Sequence, residues 1–306
     1  MTFRTTPMQT ILQELRTEIT LSAPGDIITF TVPDPDACMG CYAGESFTID
    51  GIPYRHHSWH SWSRLAQLLG CRMLTPHLST PPLVTVRFQK LNPDRSFHKS
   101  IEEKYSAESL FARIDKREEP DFLHHYLQAL NEVKIHTRTR ILDLGISRGD
   151  EFGVIENILG TNIMETMEMV GIDLDATAIE SAQSYYPHAT FHIHDINNLD
   201  ALNLGHFDLL ISVGTLQSPA VETKPLIMDL VQHHLTDTGA LILGFPASRW
   251  IDGELIPGAH APNYPFPESS LVIKDIYWIK KYLQQHRYRV RIFGQSYLFL
   301  VATRIG

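Results

Sequence analysis

The chain has 306 residues, 43% of them hydrophobic, enough for one large core plus a smaller unit, so two domains are expected. Lys plus Arg at 26 against Asp plus Glu at 35 leaves a formal net charge of −9, which repels a phosphate backbone unless the basic residues are segregated. With 3 cysteines, no apolar run long enough to span a bilayer and no signal-peptide pattern from Met1 to Thr20, the chain reads as soluble and cytoplasmic, in a reducing compartment and without a membrane partner.

Met8, Ile11, Leu12, Leu15 and Ile19 recur at helical spacing, and Ile27 to Val32 alternates like a strand before Pro33 stops it. Phe47 to Tyr54 reads as a hairpin around Asp50-Gly51, the pair that suits a turn of positive φ. Trp59, Trp62, Leu65, Ala66 and Leu69 mark a second helix ending near Gly70, and Leu83 to Phe88 a strand after Pro81-Pro82. These elements predict an α+β accessory domain over residues 1–105, placed on the substrate side. Cys38-x-x-Cys41 with Cys71, His56, His57 and His60 has ligand types for tetrahedral zinc, whereas cysteines packed as small hydrophobes need no metal. No metal is expected, with Cys38, Cys41 and Cys71 kept as the alternative. The His56 to Trp62 stretch reads as a helix start with core tryptophans, or else as aromatic lining toward a substrate. Between Thr85 and Arg117, 8 Lys/Arg stand against 5 acids, a mild basic patch or a solvated face.

From Ser96 to Val133 the pattern turns helical, with Pro120-Asp121 as a helix start and Phe122, Leu123, Tyr126, Leu127 and Leu130 as its buried stripe. Residues 106–306 are expected to form the second domain. Its organising stretch is Thr139 to Asp150: Ile141, Leu142 and Leu144 make a strand buried on both faces, Asp143 puts near its end a carboxylate that needs a partner, and Gly145 and Gly149 mark a sharp turn into a helix. The unpaired N–H groups and positive dipole end of that helix complete a nucleotide-type pocket. Further strands are predicted at Glu168 to Asp173, Thr190 to Ile193, Phe207 to Gly214 and Gly239 to Gly244. Asp175 is expected as the N-cap of a helix from Ala176 to Tyr185. Phe245 to Ser270 reads as a long aperiodic loop, and Tyr288 to Phe293 with Ser296 to Thr303 as a terminal hairpin joined through Gly294-Gln295.

Asp143-Leu-Gly-Ile-Ser-Arg-Gly149 resembles the first motif of class I S-adenosylmethionine-dependent methyltransferases, acid-x-Gly-x-Gly-x-Gly, with Ser147 at its middle glycine. The resemblance implies an α/β fold, a seven-stranded mostly parallel sheet ending in an antiparallel hairpin, with S-adenosyl-L-methionine as cofactor. It implies that Asp143, Gly145, Ser147 and Gly149 line the cofactor, that Asp173, with Leu174 beside it, holds the ribose, and that Asp195 accepts from the adenine amino group with Ile196 on the ring. Ser212, Val213 and Gly214 are then expected to touch the cofactor, and Arg113 to meet a carboxylate of the cofactor or the substrate. Gln217, Arg249, Trp250 and Tyr264 are candidates for the substrate wall. His260 is the candidate general base, with His194 also considered, because imidazole titrates near neutrality. The expected reaction is in-line methyl transfer to a small-molecule acceptor. An RNA methyltransferase using the basic 85–117 stretch, an NAD(P)-dependent oxidoreductase and a non-catalytic cofactor-binding scaffold stay open as alternatives.

Overall fold

The computed structural model describes residues 1–78, 80–95, 113–259 and 268–305. The chain divides into two compact units, Met1–Phe97 with Trp250–Pro257, and His98–Arg249 with Gly258–Gly306. Among the described residues, no helix is long and apolar enough to cross a membrane.

In the first unit, helix α1 (Met8–Leu21) buries Ile11, Leu15 and Ile19, a stripe at spacings of four. Helix α2 (Trp59–Leu68) starts on the hydroxyl of Ser58, which accepts from the Ser61 N–H. The unit's main sheet has the order β1-β5-β4, all antiparallel, formed by β1 (Ile27–Pro33), β4 (Cys71–Leu78) and β5 (Leu83–Lys90). Phe30 lies at the centre of its core, edge-on to Phe88 at 4.9 Å and tilted against Trp62 at 5.7 Å. Strands β2 (Ser46–Ile49) and β3 (Ile52–Arg55) form the anticipated hairpin, with φ of 49° at Asp50 and 76° at Gly51. Strand β4 was not anticipated. It carries Pro76, which has no N–H to donate, and it tolerates that residue as an edge strand whose register shifts between Leu74 and His77. Cys38 and Cys41 are joined in a disulfide, and Cys71 is buried in the unit's apolar core.

The second unit holds a sheet of 7 strands in the order β13-β14-β10-β9-β6-β7-β8. Strands β6 (Arg140–Leu144), β7 (Glu168–Asp173), β8 (Thr190–Ile193), β9 (Phe207–Val213) and β10 (Leu235–Pro246) run parallel. Strand β14 (Tyr297–Arg304) inserts antiparallel between β10 and β13 (Tyr288–Gly294). Side chains alternate across β6: Ile141 joins one core cluster, Leu142 and Leu144 the other. On the first face lie helices α3 (Pro120–Glu132), α4 (Asp150–Leu159) and α5 (Ala176–Tyr185), through residues such as Phe122, Tyr126, Phe152 and Ile179. On the second lie α6 (Thr223–Asp229) and α7 (Ser270–Gln285), through Leu226, Ile276 and Leu283. This is the expected α/β architecture, a mostly parallel sheet closed by an antiparallel strand pair.

The stretch after β10 is not the aperiodic loop expected for it. Strands β11 (Ser248–Ile251) and β12 (Glu254–Pro257) form a second hairpin on Asp252-Gly253, with φ of 51° and 82°. Within the first unit, Asp252 accepts from Arg95 at 3.1 Å and from the Asn92 N–H at 3.1 Å, and lies 3.5 Å from Arg72.

Candidate functional site

Strand β6 is followed by β7 on one side, while its other neighbour β9 is followed by β10 on the far side, so the connections after these two adjacent strands run in opposite directions, the arrangement at whose carboxyl ends ligands bind in open sheets. Asp143 lies there, fully buried, with neither carboxylate oxygen hydrogen-bonded among the described residues. Burial raises its pKa well above the usual carboxylate range; Glu151 pushes the same way and Lys116 opposes it. Glu151, in the first turn of α4, is itself buried, and its Oε1 accepts from Lys116 Nζ at 2.5 Å while Oε2 has no partner among the described residues. Burial works against the Lys116 charge, but Glu151 and Asp150 outweigh it and hold the ammonium more firmly than usual. The Tyr126 hydroxyl is also buried and, among the described residues, unpaired. Unsatisfied acceptors at this depth cost roughly 1–3 kcal/mol each, so the arrangement suits a donor that arrives with a ligand, such as an ammonium group.

The turn after β6 is held by its neighbour strand. Gly145 N–H donates to the Ile172 carbonyl at 2.8 Å, and Ser147 N–H to Asp173 Oδ2 at 2.9 Å. Gly145 has φ of 76°, and a Cβ there would collide with the Thr215 side chain; at Gly149, φ 86°, it would meet the Tyr186 ring at 2.6 Å. Protein side chains thus make the close approach that was expected of a ligand at these two glycines. Ser147 sits at φ 51°, where a Cβ is strained by about 1 kcal/mol. Ser147→Gly is therefore expected to leave stability unchanged or raise it by up to about 1 kcal/mol in denaturant unfolding; a loss larger than that would show the hydroxyl to be structural.

At the end of β7 the second oxygen of Asp173 accepts from the Asp175 N–H at 3.0 Å, leaving lone pairs on both oxygens for further donors. Asp175 caps α5 as expected, accepting from Thr177 and Ala178. Leu174 is 65% exposed, an apolar side chain available to the flat face of a base. Asp195 accepts from the Asn197 N–H and side-chain amide through Oδ1, both at 2.9 Å, and Oδ2 has no hydrogen bond among the described residues.

Ile196, Ser212 and Val213 are packed inside the protein rather than open to a ligand. Ile196 is buried in the core cluster with Leu142 and Val170, not laid open to a ring. Ser212 donates to the Leu144 carbonyl at 3.0 Å and is buried, and Val213 packs into the opposite cluster, so of the three residues only Gly214 is exposed. Trp250 falls in the hairpin assigned to the first unit. Arg249 donates to the Gly258 carbonyl at 3.4 Å, Gln217 is half-buried, and Arg113 is exposed. His194 uses Nε2 against the Asn198 carbonyl at 2.7 Å. His260 and Tyr264 lie outside the described residues. The buried group of Lys116, Tyr126 and Glu151 was missed; its signal was Glu151 among the uniformly apolar neighbours Phe152, Val154 and Ile155.

A family profile described as "Methyltransferase domain" matches residues 135–272. No curated protein matches the sequence. Among solved structures, a SAM-dependent methyltransferase from Aquifex aeolicus is similar at 13% identity, covering 63% of this chain and 98% of that one, with a TM-score of 0.44. The plantazolicin methyltransferase BpumL in complex with SAH matches at 13% identity, 63% and 88% coverage and a TM-score of 0.45. A TehB-like SAM-dependent methyltransferase from Corynebacterium glutamicum matches at 17% identity, 61% and 100% coverage and a TM-score of 0.36. The profile match shows that residues 135–272 form a methyltransferase domain, and the first-motif turn, the acid closing β7 and the order of the sheet are those expected of the class I S-adenosylmethionine-dependent fold.

Proposed function

We propose that the protein transfers the methyl group of S-adenosylmethionine to a small-molecule acceptor, and that the observation carrying this reading is the unpaired, buried carboxyl of Asp143 beside the half-buried carboxylate of Asp173. Asp143 takes the ammonium of the cofactor's methionine end, Asp173 takes the ribose hydroxyls, Asp195 Oδ2 takes the adenine amino group, and Leu174 lies on the ring. The bound sulfonium supplies an activated leaving group for in-line displacement. The chain's own task is then to align acceptor and methyl and to exclude water, with Gly214, Gln217 and Arg249 facing that task at the open edge. The acidic net charge supports a small acceptor over a polyanion.

Calorimetry with S-adenosylhomocysteine tests both the reading and the role of Asp143. Burial raises the Asp143 pKa, so the carboxyl keeps its proton to higher pH than a free one does, and an ammonium that pairs with the carboxylate displaces that proton wherever it is held. Affinity is expected to rise by up to about tenfold per pH unit while Asp143 is protonated and to level off above its folded pKa, with proton release visible in buffers of different ionisation enthalpy. Binding without proton release would remove Asp143 from the ammonium site. Binding of NAD in place of S-adenosylhomocysteine would overturn the methyl-transfer reading.

A further inference from the structure

We infer that the second unit carries a divalent-cation site at the amino-terminal edge of its sheet, built from His234, Asp229 and Asp200 and separate from the site described above. His234 directly precedes β10 and ends the π-helical turn Leu230–His234; single π turns inside helical segments are frequent at functional sites. Asp229 ends α6, and Asp200 lies in the 3-10 segment Ile196–Leu202 that follows β8. One ligand atom from each of the three residues lies within 4.8 Å of the others.

The observation that points to a cation is the histidine. His234 is 5% exposed, and its Nδ1 lies 3.3 Å from the Gly205 carbonyl oxygen. A carbonyl only accepts, so Nδ1 holds the proton, and in the neutral ring the lone pair is on Nε2. Among the described residues Nε2 has no hydrogen bond, and it faces Asp229 Oδ2 at 3.3 Å. Two acceptors pointed at each other across that gap repel unless positive charge lies between them. A proton on Nε2 answers Asp229 alone. The second carboxylate, Asp200, makes the charge around the gap −2, which a doubly charged ion balances.

The spacing of His234 and Asp229 suits such an ion, with Asp200 within 4.8 Å to close on it. Metal–ligand distances of about 2.0–2.1 Å give a tetrahedral edge of about 3.3–3.4 Å, the separation found between Nε2 and Oδ2. One imidazole and two carboxylates select a first-row ion such as Zn²⁺ or Mn²⁺ over Mg²⁺ or Ca²⁺, which prefer oxygen throughout. The Nδ1–H bond to Gly205 is the second contact that metal-bound histidines make with their other nitrogen. Such an ion would tie the segment after β8 to the connection between α6 and β10.

The test uses the full chain after chelator treatment, titrated with Co²⁺ and followed by visible d–d absorption, with Zn²⁺ as displacing ion. One equivalent is expected to bind and to raise the melting temperature. Asp200→Asn, at an exposed position that tolerates the change, is expected to weaken uptake at least about tenfold, and Asp229→Asn more. Absence of stoichiometric uptake overturns the site. Uptake unchanged in both variants assigns the metal to other histidines and overturns it equally. An imidazolium at His234 that persists in the presence of Zn²⁺ shows a proton in the gap and also rejects the inference.

Discussion

Replacing Asp173 with alanine will weaken S-adenosylhomocysteine binding at least about a hundredfold while the domain still unfolds cooperatively. A carboxylate that takes two ribose hydroxyls makes charge-assisted bonds of roughly 1.5–3 kcal/mol each, so losing both accounts for two or more orders of magnitude. The substitution also removes the acceptor for the Ser147 N–H at 2.9 Å and for the Asp175 N–H at 3.0 Å, which together fix the turn after β6 against β7. Asp173 lies half-buried at the sheet's edge, so its removal opens no core cavity. Asp173→Asn separates the two effects: it keeps one acceptor oxygen but turns an amide toward backbone donors, and an affinity between those of the parent and the alanine variant is expected. Calorimetry and melting curves on the same samples decide the matter. An alanine variant that binds within about fivefold of the parent would place the ribose elsewhere.

The largest loss of stability is expected at Lys116. Its Nζ is the partner of Glu151 Oε1, and Glu151 is 1% exposed, so Lys116→Met leaves an unpaired carboxylate inside the domain at a cost of about 3–5 kcal/mol near neutral pH. The pH dependence carries a sign. Lys116 has its pKa raised by the pair, so its contribution is present below the unfolded lysine pKa and is lost only as pH climbs through the folded value. Glu151, a carboxyl raised by burial with Lys116 pulling it down in part, penalises the fold once ionised. Without Lys116 that penalty is unopposed, so the deficit of the variant should shrink as pH falls and Glu151 takes a proton. Adding Glu151→Gln to Lys116→Met should recover much of the loss in urea unfolding. A deficit that does not change between mildly acid and alkaline buffer, or a double variant no better than the single one, would show that the ion pair does not set stability here.

What the sequence disclosed was whatever depends on local rules. Asp175 announced its capping role by standing before a helical run, and Asp50-Gly51 announced a hairpin because both backbone positions need positive φ. The same signal stood at Asp252-Gly253 and went unread, because prolines around it made the whole stretch look like loop and its strands are only 4 residues long. Strand β4 was hidden by Pro76, which is acceptable only on an edge, and edge position is a property of the assembled sheet. The acids at the ends of β6 and β7 were found because a carboxylate interrupting or closing a buried strand is conspicuous. Which carboxylates lack partners was beyond reach: Asp143, Glu151 and Lys116 come from a strand, a helix and a turn, and only packing brings them together. Ser212 and Ile196 misled for a related reason, since strand-end position says that a side chain is near the site but not whether it points into the core.

The insertion of β14 between β10 and β13 has a consequence for how the protein is made. Ribosomal synthesis delivers β10 and β13 first, yet neither pairs with the other; each must wait for the strand that belongs between them. Until Tyr297–Arg304 emerges, the β10 margin exposes a ladder of free amide and carbonyl groups flanked by Leu241, Ile242 and Leu243, a sticky intermediate that invites chaperones or mispairing with another nascent chain.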